Sequence, residues 1–137
     1  MQGFFVLDAC ALLALVKKEE GSNIVANAVI KATSGDICLC MNRINLLEVY
    51  YGFYRDNGKD YALNILEKAE ASVIKIVEFD REILLEAGRL KATYKLSLAD
   101  CIAVAQAIVL KGSLLTADHH ELDALDGKEN IRFTWIR

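Results

Sequence analysis

Residues Phe4-Phe5-Val6-Leu7 form a short, unbroken apolar run that stops at Asp8. A strand that is apolar on both faces has to be covered on both, which is the situation of a parallel sheet packed between helices. Similar strand-like runs recur at Ile37–Met41, Val73–Val77, Ser113–Thr116 and Ile131–Ile136. Helical patterns fill the intervals: Ala9 to Lys18, Ser22 to about Thr33, and a stretch that Asn42 can cap and Asn57-Gly58 ends. Further helices are expected over Tyr61–Ala71, Arg81–Tyr94 and Leu98–Lys111, with one or two turns at Glu121–Leu125. Proline is absent, so glycine and polar clusters mark the breaks. Strands that alternate with helices predict an α/β fold, a three-layer α/β/α sandwich around a mostly parallel sheet of about five strands. No repeat, linker or low-complexity tract divides residues 1–137, which read as one domain.

Apolar residues make up 54% of the chain, a surplus that suggests a surface for self-association or for a partner. The formal charge of −3 argues against a general coat for nucleic acid, but leaves room for an enzyme that meets phosphates through a cation. No stretch approaches the roughly 20 apolar residues of a membrane span. Phe4–Val16 superficially resembles the core of a signal peptide, but Asp8 interrupts it and Lys17-Lys18-Glu19-Glu20 follows in place of a cleavage site. A cytoplasmic protein is the expectation. Cys10, Cys38, Cys40 and Cys101 lie in apolar runs without a C-x-x-C pair, and read as small hydrophobes in a reducing compartment.

Ligands of open parallel sheets gather beyond the carboxyl ends of the strands. Asp8 directly follows the first strand and Asp118 lies just past the fourth, so both face one crevice if those strands are neighbours. Glu48 falls between Ile44 and Tyr51, which with Leu47 read as the apolar stripe of their helix. A carboxylate there is either buried with a partner or lies at the rim of a slightly rolled helix. Asp100 sits in the first turn of a nearly all-apolar helix, and Ser97-Leu98-Ala99-Asp100 has capping-box spacing. Taken singly, Asp8, Asp100 and Asp118 are each explained as helix caps. Together with Glu48 they form a set of acids at strand ends or on buried helix faces.

Carboxylates that converge raise one another's pKa, and a hard divalent cation relieves the repulsion. Mg2+ or Mn2+ suits oxygen donors, whereas Zn2+ would want the His and Cys ligands that this chain hardly offers. Such an ion activates water and stabilises charge on a phosphoryl oxygen, which is the chemistry of phosphodiester hydrolysis. No Gly-rich phosphate loop is present, which weighs against an NTPase or a dinucleotide enzyme.

Four ordered segments carry a family resemblance: Phe5-Val6-Leu7-Asp8-Ala9-Cys10-Ala11-Leu12, Asn45-Leu46-Leu47-Glu48-Val49-Tyr50-Tyr51-Gly52, Leu96-Ser97-Leu98-Ala99-Asp100-Cys101-Ile102-Ala103 and Leu114-Leu115-Thr116-Ala117-Asp118. Their order and content resemble the acidic motifs of PIN domains, and the size resembles the VapC type of toxin. The resemblance implies a Mg2+- or Mn2+-dependent endoribonuclease that is dimeric and is neutralised by a partner antitoxin. It implies Asp8, Glu48, Asp100 and Asp118 as the metal-binding and catalytic set. Asn45, Ser97 and Thr116 are then the side chains that orient the acids.

Cys10 stands where many relatives carry Ser or Thr, and His119-His120-Glu121 stands where a further acid and an aromatic are common. Glu121 reads as a surface residue rather than a replacement acid, because glutamate also suits a solvated turn. Lys17, Lys18, Arg43, Arg55, Arg89 and Lys95 are candidate RNA contacts, while Tyr50, Tyr51, Phe53 and Tyr54 read as core or dimer interface rather than base-stacking surface. Two other functions fit less well. One is a non-cleaving module that binds RNA or a partner through the same pocket, for which Cys10 leaves room. The other is a phosphoacceptor domain, which would need an acidic pair after the first strand, where Leu7 and Ala9 flank a single Asp8.

Overall fold

The computed structural model describes residues 3–137. Five strands, β1 (Gly3–Leu7), β2 (Ile37–Asn42), β3 (Lys75–Val77), β4 (Ser113–Thr116) and β5 (Arg132–Trp135), form one sheet in the order β3-β2-β1-β4-β5. Every neighbouring pair is parallel. The expected sandwich is therefore present, with a sheet that is parallel throughout. The helices are α1 (Ala9–Lys17), α2 (Ser22–Thr33), α3 (Arg43–Asn57), α4 (Lys59–Glu70), α5 (Arg81–Thr93), α6 (Leu98–Leu110) and the short α7 (His119–Leu122), which runs into a 3-10 turn at Asp123–Leu125.

Alternation along the strands divides the core in two. Leu7, Leu39, Met41 and Leu115 point to one face and pack with α1 to α4. Val6 and Leu114 point to the other, against α5 to α7. The register sets Leu7 opposite Leu115, so the carboxyl ends of β1 and β4 lie side by side. That neighbourhood places Asp8 and Asp118 at one end of the sheet.

Two elements differ from expectation. The third strand starts at Lys75, because the Ser72 hydroxyl donates to the Ala69 carbonyl at 2.7 Å and accepts the Ile74 N–H at 3.1 Å. Ile74 is buried as a plug in the core, and its N–H is taken before the ladder begins. In α3 the buried face is Asn45, Leu46, Val49 and Phe53, with Leu47 and Tyr51 exposed. The apolar stripe is thus turned away from Ile44-Leu47-Tyr51, and Glu48 lies half-buried at its edge. Asn45 causes the misreading: it is a polar residue on the inward face, donating from Nδ2 to the Ala99 carbonyl at 3.1 Å.

Asn42 and Gln106 are both buried and share a hydrogen bond of 2.9 Å from Nδ2 to Oε1. Asn42 also caps α3, accepting the Ile44 N–H at 3.0 Å. One buried amide pair therefore fixes the start of α3, the helix of Glu48, against α6, the helix of Asp100.

Candidate metal centre

Asp8 is 3% exposed and caps α1, its Oδ1 accepting the Ala11 N–H at 2.8 Å. The buried Thr116 side chain also favours the ionised form of this carboxylate. Burial outweighs both and pushes the Asp8 pKa up to about 6, with Asp118 and Glu48 adding repulsion. The Thr116 hydroxyl also accepts the Asp118 N–H at 3.0 Å, so one side chain steadies acids from two neighbouring strands.

Asp100 stands in the first turn of α6, where Ser97 Oγ accepts its N–H at 3.2 Å. Its pKa is pushed up to about 9, first by burial and then by hydrogen bonding and repulsion from Asp118 and Glu121. Single carboxylate oxygens of Asp100, Asp118 and Glu121 all lie within 4.8 Å of one another. Glu48 is raised by burial and by the Glu121 charge, and lowered by a hydrogen bond from Asn45.

Of the four acids expected from sequence, two share one tight group, and the other two are linked to it by charge. Asp100 and Asp118 belong to the tight group; Asp8 adjoins Asp118, and Glu48 reaches the group through Glu121. Glu121 corrects the sequence reading. It is half-buried and turned toward the acids, with Oε1 accepting the Ser97 N–H at 2.6 Å. The helical turn of α7 swings it there, and Asp118 caps that turn by accepting the Glu121 N–H at 3.4 Å.

Cys10 is half-buried beside Asp8, Asp118 and Arg137, and burial together with the Asp8 charge raises its thiol pKa. Three candidate RNA contacts are committed elsewhere. Arg43 pairs with Glu70 and Glu78, Arg55 with Asp56, and Arg89 with Glu86 and Glu129. Lys17 sits 5.8 Å from the centre of the Phe53 ring.

A family model described as PIN domain matches residues 5–128. The chain belongs to the PIN domain family. Comparison with curated proteins gives no match. Among solved structures, a chain of the DNA-bound VapBC complex from Salmonella typhimurium is 17% identical with a TM-score of 0.76, each chain covered in full. VapBC2 from Rickettsia felis, bound to a DNA fragment from its promoter, is 16% identical with a TM-score of 0.75 over 96% of this chain and 98% of that one. VapBC-1 from nontypeable Haemophilus influenzae is 15% identical with a TM-score of 0.71, over 97% and 98%. At these identities the likeness is one of fold.

The donor set of this PIN domain fits a hard divalent cation. Asp100 Oδ2 and Asn45 Oδ1 are buried and meet no hydrogen-bond donor, an arrangement that costs about 1–3 kcal/mol per group when nothing positive compensates it. Carboxylate oxygens of Asp100, Asp118 and Glu121 crowd together beside them, and they are the donors that Mg2+ and Mn2+ prefer. Among the described residues, no helix is long and apolar enough to cross a membrane.

Proposed function

We propose that this PIN domain, a single domain over residues 1–137, is a Mg2+- or Mn2+-dependent endoribonuclease and the toxin of a toxin–antitoxin pair, acting in the cytoplasm as a homodimer. The observation that carries the reading is the buried, donorless Asp100 Oδ2 inside a group of acids. The fold likeness to chains of VapBC complexes supports the toxin role and a cognate antitoxin as partner. Leu47, Tyr51 and Tyr54, exposed along α3, support self-association.

On this reading Asp8, Glu48, Asp100 and Asp118 hold the ion and make up the catalytic set. A bound Mg2+ or Mn2+ supplies a polarised water and neutralises charge at the scissile phosphoryl group. The rest is done by the protein. Ala11 N–H and Thr116 aim Asp8, Ser97 fixes the turn that presents Asp100, and Asn45 steadies Glu48. The ionised acids of the group would repel a phosphodiester unless a bound cation neutralised them.

The test is cleavage of a mixed RNA pool, including tRNA, by the purified protein in Mn2+, Mg2+ or EDTA, beside Asp8→Asn. Cuts that disappear in EDTA and in the variant are expected. A folded, metal-binding protein that cuts nothing would favour the non-cleaving module, for which Cys10 beside Asp8 is the motivating feature.

A further inference from the structure

We propose that His119 is a base-stacking residue beside the metal centre, its outer ring face receiving an unpaired base of single-stranded RNA. This rests on the ribonuclease reading above and deepens it, by saying how the substrate strand is seated next to the acids.

His119 directly follows Asp118, while Phe133 and Trp135 lie two residues apart on β5, an edge strand of the sheet. Period-two alternation sends both of these rings to one face, where they pack with the core under α5 to α7. The register sets Trp135 opposite Thr116, whose hydroxyl accepts the Asp118 N–H at 3.0 Å. The turn into α7 then lays the imidazole on the indole, with centroids 3.8 Å apart and planes inclined by 18°. Phe133 continues the column at 5.1 Å and 17°. Three nearly parallel rings thus run along the edge strand to the end of the sheet that carries Asp118.

The imidazole is held by both edges. Nδ1 lies 2.8 Å from Asp123 Oδ1 and Nε2 lies 2.9 Å from the Arg137 carbonyl oxygen. Trp135 covers one ring face, yet the side chain is 46% exposed, so the face it offers to solvent is the opposite one. A ring already immobilised loses little freedom when a base settles on it. With both nitrogens engaged it cannot read base edges, which suits stacking, since every base has a π-face. The competing role is a clasp that ties α7 to Arg137. A clasp accounts for the two edge contacts and does not call for an open ring face.

The test compares affinity for a single-stranded RNA oligonucleotide and for the same strand carrying abasic sites, in Mg2+. Each variant is made in an Asp8→Asn background so that the strand stays whole. His119→Ala is expected to bind the intact strand about tenfold more weakly, the effect of losing one stacked base, and the abasic strand unchanged. His119→Phe keeps a ring face and neither edge contact, and should hold the intact strand as His119 does. The salt dependence should run parallel in all three proteins, because no phosphate contact is removed.

His119→Ala binding the intact strand normally, or losing both strands alike, would overturn the stacking role, as would His119→Phe as weak as His119→Ala. Metal-dependent cleavage by wild type would still stand in those cases. Stacking upheld in a protein that never cuts RNA would overturn the nuclease reading alone, and a protein that neither binds nor cuts RNA would overturn both.

Discussion

Asp8 carries the clearest consequence of burial at a single residue. Its carboxyl pKa is about 6 in the folded protein, against the 3.8 of an unhindered aspartate. Between these values the native state holds a proton that the unfolded chain has released, so stability falls as pH rises through the window. Asp100, raised to about 9, extends the same trend toward alkaline pH, reduced by its partial contact with water. The metal-free protein should therefore melt higher near pH 5 than near pH 8. Asp8→Asn, which still suits the cap on α1, should stabilise the metal-free protein by about 2–3 kcal/mol near pH 8 and by little near pH 4. Thermal melts in EDTA across that range check it; an Asp8→Asn protein with the same pH slope as wild type would locate the slope elsewhere.

At the level of elements, the tie between α3 and α6 rests on the buried Asn42–Gln106 bond. Gln106→Leu leaves Asn42 Nδ2 without an acceptor and should cost about 1–3 kcal/mol, read as a lower midpoint in urea. Losses of metal affinity are expected with it, since Glu48 and Asp100 ride on the two helices. Gln106 is a polar residue in an otherwise apolar helix, but its partner lies 64 positions away and no local pattern announces it. The same limit hid Glu121, whose neighbours Ser97 and Asp100 are brought in by the fold. Elements themselves were legible because their signals are local: the apolar run to Leu7, the cap at Asn42, the stop at Asn57-Gly58. In α3 periodicity misled, because Asn45 faces inward to a carbonyl of α6 and Leu47 and Tyr51 face outward. The third strand came out shorter than its β-branched residues suggest because the Ser72 hydroxyl competes for the Ile74 N–H.

For the molecule as a whole, the proposed cation site would link ion binding to folding through the same acids. A hundredfold excess of Mn2+ over its Kd should stabilise the fold by about 2.7 kcal/mol. The gain should grow with pH, because the ion competes with protons on Asp8 and Asp100. Melts with and without Mn2+ at two pH values measure this; a gain that shrinks toward alkaline pH would contradict it.

The strand order also governs when the crevice can exist. β1 is the central strand and is made well before its neighbour β4, which begins at Ser113. While the chain is being synthesised, Asp8 waits beside an open edge until β4 and α7 have left the ribosome. At about 5–20 residues per second that interval lasts on the order of 5–20 s. A polypeptide that attacks RNA would thus lack its full set of acids until β4 and α7 have emerged from the ribosome.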